Sequence, residues 1–363
     1  MISDNWKRVL VLQSSFIGDT VLTLPLISEI NRRFAPAHLA VLCTPAGGEL
    51  LSGHPAIDEL LIDDKKNADR GWSGLRRKAE LLKKKSFSAA ITPHKSLRSA
   101  LLLKFAAIPL RVGFRQSKGA FLFHARVSRD AARHDVERNL SLLQAWGVAS
   151  EPGEPLLDLP VNEAVAQSAR TKLQTLGFDP VKPAMGFNPG SVWPMKRWSA
   201  DGFARVIEDV RAAYDCQAIL FGGPEDLEVV RAVVQRCGAN TINAAGQLTL
   251  GELPAAIGFC KIFVTNDSGP MHIAVARRVP TVAIFCATAP AQGFYPYSSN
   301  AIVVQKNLHC RPCSAHGGLR CPLGTEDCIR GIEPQAVFAA VQKLMDRNSA
   351  SALETFTPQF VSL

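Results

Sequence analysis

The sequence contains no uninterrupted apolar run approaching the roughly 20 residues that cross a bilayer, so no membrane-spanning helix is expected. Its first residues, Met1 to Asn5, lead straight into the strand-like Arg8-Val9-Leu10-Val11-Leu12, without the basic, apolar and small-residue succession of a secretory leader. These two absences favour a cytoplasmic protein, at most peripheral to a membrane. No internal repeat and no low-complexity tract is visible. A G-x-G-x-x-G fingerprint is missing from the first strand-to-helix loop, and no G-x-x-x-x-G-K-[ST] occurs, so neither a standard dinucleotide site nor a P-loop is indicated. Asp-x-Asp is absent too, which removes the acidic pair through which many sugar transferases hold a metal on a diphosphate. With neither an aromatic-basic RNA motif nor helix-turn-helix spacing, nucleic acid is not expected as a partner.

What is present suits a folded enzyme. At 363 residues the chain is too long for one ordinary core and suits two domains of similar size. Apolar residues make up 47% and charged residues 20%, a globular balance. The net charge of +9 is uneven, because residues 1–150 hold 23 Lys and Arg against 13 Asp and Glu, while the remainder holds 18 against 19. Runs such as Arg76-Arg77-Lys78 and Lys83-Lys84-Lys85 read in part as solvated helix faces. The rest of the excess suits an anionic partner: nucleic acid, lipid headgroups, or a phosphorylated or carboxylated substrate. Nine cysteines in a chain without a leader argue for thiols or metal ligands before disulfides.

Short β-branched runs alternate with longer periodic segments, the pattern of βαβ units and parallel sheets. Strands are expected at 8–14, 38–43, 59–62 and 89–92, with helices at about 20–34, 73–85, 96–107 and 136–146 and an Arg-rich connection before the last of these. Residues 148–162, with three prolines and three acids, read as a linker. Strands resume at 184–188, 218–222, 241–244, 262–265 and 281–287, with helices at about 199–214, 225–236, 270–278 and 334–347. The expected division is residues 1–170, residues 171–347 including a Cys-rich loop at 308–330, and a loosely attached tail at 348–363.

Four loops carry candidate chemistry. Ser14-Ser15-Phe16-Ile17-Gly18-Asp19-Thr20 follows the first strand, where open parallel sheets place ligands. Asp19 there reads equally as a helix cap or as a general base. Asn188 to Trp198 combines a Gly turn with Lys196 and Arg197, suited to phosphate or simply to a solvated basic turn. Thr265-Asn266-Asp267-Ser268-Gly269-Pro270-Met271-His272 joins a strand to a helix whose first amides suit an anion, with Asp267 as a plain capping acid and His272 as a core histidine the structural alternatives. Glu225, in Phe221-Gly222-Gly223-Pro224-Glu225, stands where nucleotide folds place a ribose-binding carboxylate, though the helix dipole alone accounts for an acid there.

Taken together these loops resemble the ADP-heptose:lipopolysaccharide heptosyltransferases, glycosyltransferase family 9, and their heptosyltransferase II branch in particular. The resemblance spans nearly the whole chain. It is carried by Ser14 to Asp19 with Leu24-Pro25-Leu26, Ser96-Leu97-Arg98-Ser99-Ala100-Leu101, Arg111-Val112-Gly113-Phe114-Arg115, His134-Asp135-Val136-Glu137-Arg138-Asn139, Gly190 to Trp198, Asn266 to His272, and Cys310 to Cys328. It implies a GT-B fold, two facing Rossmann-like α/β domains that hold acceptor and nucleotide sugar on either side of a cleft. It implies that Asp19 is the general base of an inverting transfer and that Lys196 meets the diphosphate without a required metal cofactor. Ser191, Ser268, Gly269 and His272 join the donor site by the same resemblance, Asp267 holds sugar hydroxyls and Glu225 meets the ribose. Arg98, Arg115, His134 and Arg138 would line the acceptor side. The implied partners are ADP-heptose, the Kdo-lipid A or heptosylated Kdo-lipid A core of lipopolysaccharide, and an anionic membrane surface. Thr92-Pro93-His94-Lys95 departs from the family pattern toward a more basic stretch.

Cys310-x2-Cys313-x7-Cys321-x6-Cys328 contains one C-x2-C pair, but the second pair lacks zinc-ribbon spacing. Structural zinc ligands and reduced thiols are the two readings. Three rivals stay open for the whole chain: a GT-B transferase with another sugar or acceptor, a non-catalytic nucleotide-sugar module, and a basic nucleic-acid binder.

Overall fold

The computed structural model describes residues 7–148, 157–237, 241–347 and 357–363. It divides into two compact units, Met1–Pro160 and Val161–Leu363. The first runs β1 (Arg8–Gln13), α1 (Ile17–Val21), α2 (Leu24–Phe34), β2 (His38–Cys43), α3 (Pro45–Leu51), β3 (Glu59–Ile62), α4 (Gly71–Lys84), β4 (Ala89–Thr92), α5 (Leu97–Phe105), β5 (Leu110–Phe114), β6 (Ala125–Val127) and α6 (Asp135–Ser141). The second continues with α7 (Glu163–Thr175), β7 (Ala184–Asn188), α8 (Ala200–Tyr214), β8 (Gln217–Leu220), α9 (Leu227–Cys237), β9 (Thr241–Asn243), α10 (Leu253–Gly258), β10 (Ile262–Asn266), α11 (Gly269–Ala276), β11 (Thr281–Phe285), β12 (Ala301–Gln305), α12 (Asp327–Arg330), α13 (Pro334–Arg347) and β13 (Gln359–Ser362).

Every strand pair in both sheets is parallel. The first sheet has the order β3-β2-β1-β4-β5-β6 and the second β13-β12-β11-β10-β7-β8-β9, so each reverses direction of winding once. The reversal lies between β1 and β4 in one and between β7 and β10 in the other. Helices on both faces explain why the central strands read as continuous apolar runs; Val9 to Leu12 and Ile262 to Val264 are at most 1% exposed. Each such fully buried side chain contributes about 1.5–3 kcal/mol.

Local chemistry explains where the elements depart from expectation. The segment 20–34 forms two helices, because Pro25 near the start of α2 supplies no donor and the chain re-enters at Thr23. The helix expected at 136–146 is α6 followed by a 3-10 turn, Leu142–Trp146, closed by Gly147 at φ 78°. The Arg-rich connection contains β5 and β6. The division after Pro160 falls earlier than residue 170, which lies inside α7. Residues 149–156 of the expected linker lie outside the described residues, and its described end is tied down by buried Leu157 and Leu159. Residues 348–356 of the tail also lie outside them, but β13 pairs with β12 through Ile302↔Gln359 to Gln305↔Ser362, so the last residues form the edge of the second sheet. No helix among the described residues is long and apolar enough to cross a membrane.

Candidate active site

In each unit the loops that matter leave the carboxyl ends of the two strands flanking the reversal, the place where open parallel sheets leave a crevice for ligands. In the first unit these are the loops after β1 and β4. Asp19 sits in α1, half-buried, and its Oδ2 accepts a hydrogen bond from Phe16 N at 3.2 Å. Thr23 Oγ1 donates to Asp19 O at 2.7 Å and receives Gln13 Nε2 at 3.1 Å, fixing the turn to β1. The carboxylate is thus a cap held just beyond the carboxyl end of β1.

Cations surround it. Lys65, which no sequence motif marked, donates to Ser14 O, and partial burial lowers its pKa against the opposing pull of Asp63 and Asp19. Desolvation also lowers Lys95, reinforced by Arg129 and Arg138 and opposed by Asp135 and Asp19. His94 Nδ1 lies 2.9 Å from Ser99 Oγ, 3.3 Å from Ser14 Oγ and 3.4 Å from Ser96 Oγ. Burial, then Lys65 and Lys95, push its pKa down to about 4, so at neutral pH its nitrogen can accept from these hydroxyls.

The expected acceptor-side residues separate into two kinds. Arg98 is engaged, bonding Asp63 Oδ1 at 2.8 Å and Asp69 O at 2.9 Å. Arg138 is buried, donates to Asp130 O at 2.9 Å and lies 3.5 Å from Asp135. His134 is buried and caps α6, its Nδ1 receiving Val136 N at 3.2 Å. These three hold loops together. Arg115 is exposed, just past β5.

In the second unit the loops after β7 and β10 meet. Lys196 Nζ lies 2.7 Å from Asp267 Oδ2, and Thr288 Oγ1 donates to the same oxygen at 2.7 Å. Ser268 precedes the first turn of α11 without closing it by a side-chain cap, and Gly269 begins the helix, so the amides there remain for an anion. Asn188 Nδ2 reaches Gly190 O at 3.2 Å and Ser268 Oγ at 3.3 Å, joining the two loops. Asn266 completes the junction, receiving Trp198 N at 3.0 Å and donating to Pro189 O at 2.8 Å. Gly190 is required here, since a Cβ would stand 2.2 Å from the Asp226 carboxyl carbon. Ser191 is buried and its carbonyl receives Arg197 Nε at 2.7 Å. Glu225 is exposed at the start of the 3-10 turn Pro224–Asp226.

The Cys-rich loop braces this site. Arg311 Nη2 donates to Phe285 O at 2.9 Å and also to Thr288 O, Cys313 N reaches Ala287 O at 3.1 Å, and His316 stacks on Trp193 at 5.8 Å. Gly317, at φ +89°, passes so close that a Cβ would lie 3.0 Å from Lys196 Cγ. All nine cysteines are free, and among the described residues no three His, Cys, Asp or Glu group as a metal site would need. Burial raises the Cys328 thiol to about 11, whereas hydrogen bonding from the Glu326 amide lowers Cys321.

His272 lies 4% exposed on α11, its Nδ1 without a partner, and burial pushes its pKa to about 4. Both His94 and His272 thus fall below their ordinary 6.5 on folding. The unfolded chain then binds more protons between these values, so stability is lost as pH falls from about 6.5 toward 4. The thermal midpoint is expected to drop across that window, and His272→Gln to flatten the drop; an unaltered slope in the variant would assign the effect elsewhere.

Comparison with known proteins adds a consistent set. Residues 75–319 match glycosyltransferase family 9 (heptosyltransferase). Lipopolysaccharide heptosyltransferase 2 of Salmonella typhimurium is 30% identical over 296 residues, covering 78% of this chain and 84% of that protein. A family 9 glycosyl transferase from Veillonella parvula superposes with a TM-score of 0.85 at 27% identity, over 94% of this chain and 98% of that one. E. coli ADP-heptose lps heptosyltransferase II gives 0.76 at 25% identity, over 94% and 100%.

Proposed function

The chain belongs to glycosyltransferase family 9, the heptosyltransferases, and from that premise we propose that it moves heptose from ADP-heptose to the inner core of lipopolysaccharide with inversion at the anomeric carbon. The observation that carries the donor half is the Lys196, Asp267 and Thr288 group beside the first turn of α11. Both partners use Asp267 Oδ2, which leaves Oδ1 to receive a sugar hydroxyl. Lys196 and the amides of Ser268 and Gly269 then face the diphosphate, while exposed Glu225 stands at the ribose. In this reading the positive charge needed by the leaving group comes from the lysine and the helix start, with no metal required.

The acceptor half rests on Asp19. Its carboxylate takes the proton from an acceptor hydroxyl as that oxygen bonds to the anomeric carbon. The bond from that carbon to the β-phosphate oxygen breaks, and its electron pair departs with ADP. Attack opposite the leaving group inverts the configuration. Arg115, Lys95 and Lys65 are the cations suited to a carboxylated or phosphorylated acceptor. Arg98, His134 and Arg138 line the acceptor side in this reading while also holding their loops. The enzyme would act in the cytoplasm, against the anionic face of the inner membrane, drawn there by the 23 Lys and Arg over 13 Asp and Glu of residues 1–150.

The test is release of the nucleoside diphosphate, ADP or UDP, in the presence of heptose-deficient lipopolysaccharide, with ADP-heptose, ADP-glucose and UDP-glucose offered separately. Release from ADP-heptose alone, dependent on acceptor, is the expected result. Turnover of UDP-glucose instead would move the chain to another donor, and ADP binding with no turnover of any donor would make it a binding module.

A further inference from the structure

The first unit carries a group of apolar side chains that its core does not absorb. Trp72 in the first turn of α4 is 64% exposed, Leu97 and Phe105 at the two ends of α5 are 41% and 43%, and Phe121 in the 3-10 turn Ala120–Leu122 is 73%. They sit on three elements packed in succession, α4 on α5 and α5 on the 3-10 turn. The Trp72 and Phe105 rings lie 6.3 Å apart at 46°, and Arg98 Nη1 ties the start of α5 to Gly71 O at 3.3 Å. Leu97, Leu101 and Phe105 recur every fourth residue, so they form one stripe of α5. A Cβ on Gly119 would stand 2.4 Å from Ala100 Cβ and 3.3 Å from Leu97 Cδ1, which sets the turn bearing Phe121 directly on that helix.

Charge frames the stripe. Arg70, Arg76, Lys104 and Lys118 are exposed, and none forms an ion pair among the described residues. Between Glu80 and Asp130 the chain has six lysines, five arginines and no acidic residue at all. Exposed large aromatics inside so one-sided a field cost solubility without helping the fold, and a partner that takes both features relieves that cost.

We propose that this face of the first unit docks on an anionic lipid bilayer. Trp72, Phe105 and Phe121 enter the headgroup boundary, and Arg70, Arg76, Lys104 and Lys118 meet lipid phosphates. Amphipathic rings favour that boundary, and each cation near an anionic surface strengthens binding about fivefold. Single-stranded RNA fits less well, because Leu97 and Leu101 offer a base no π face, whereas a hydrocarbon boundary accepts them. A second copy of the chain would bring like charges together. The proposal deepens the acceptor reading above, resting on it only for why a bilayer lies at hand.

The experiment uses the whole chain, sedimented with vesicles of equal parts phosphatidylcholine and phosphatidylglycerol, and with phosphatidylcholine alone. Binding to the anionic vesicles is expected. The pair Trp72→Ser with Phe105→Ser should weaken it tenfold or more at unchanged thermal midpoint. Lys104→Ser with Lys118→Ser should weaken it at low salt and matter less as salt rises. Quenching of tryptophan fluorescence by brominated lipid, lost in Trp72→Phe, would place that ring in the boundary. Partitioning that ignores the aromatic pair, equal affinity for neutral vesicles, or RNA binding or self-association that is lost with the same substitutions while vesicles are not bound, would each overturn the proposal. Transfer to a lipid-free core oligosaccharide separates the two readings. Vesicle binding without turnover of ADP-heptose sustains the surface and fails the assigned reaction, and turnover with no vesicle binding does the reverse.

Discussion

Asp19→Asn is expected to lower kcat for heptosyl transfer by about 100- to 10,000-fold while leaving ADP affinity and thermal midpoint close to wild type. The substitution is informative because Asp19 has a structural task as well. Its Oδ2 accepts from Phe16 N at 3.2 Å, and the amide oxygen of asparagine can accept the same bond. What asparagine cannot do is take a proton from an acceptor hydroxyl at neutral pH. Were Asp19 only a cap of the five-residue α1, the change would cost a few tenths of a kcal/mol and leave kcat alone. Rate and stability measured on the same preparation therefore separate base from cap.

Lys196→Ala is expected to cost about 100- to 1,000-fold in kcat, by removing the ammonium that faces the departing diphosphate. It should also unsettle the second unit. Asp267 is 5% exposed, and its carboxylate would keep Thr288 but lose the cation at 2.7 Å. Stranding one member of a buried pair costs about 3–5 kcal/mol. Neutralising both sides, as in Lys196→Ala with Asp267→Asn, should recover much of the stability and none of the rate. If the double variant recovered activity as well, Lys196 would be a structural counter-ion and nothing more.

The parts of this arrangement that could be seen in sequence are those fixed by local chemistry. β1 and β10 announce themselves as apolar runs that stop at Ser14 and Asp267, and the turn residues after them mark the ligand-bearing ends. Lys196 was visible because Gly190 and two prolines make its loop recognisable. Contacts made across the fold were not visible. Nothing near Thr288 or Arg311 in the sequence tells that one supports Asp267 and the other ties the Cys-rich loop to β11 and the loop after it. The same holds for Lys65, which reaches Ser14 from a loop fifty residues on. Arg98 and Arg138 are placed on the acceptor side by resemblance alone, and that Asp63 and Asp135 stand beside them emerges only in three dimensions. β13 was missed for a related reason: its partner β12 was itself not expected, and a four-residue edge strand carries little periodicity.

The most direct test of the central claim is the mass of the acceptor. Heptose-deficient lipopolysaccharide core is incubated with ADP-heptose and wild-type or Asp19→Asn protein, and the product is read by mass spectrometry. The account predicts a gain of one heptosyl unit with the wild type and, in the same time, essentially none with Asp19→Asn. ADP-heptose consumed with no gain in acceptor mass, or an equal gain with both proteins, would contradict it.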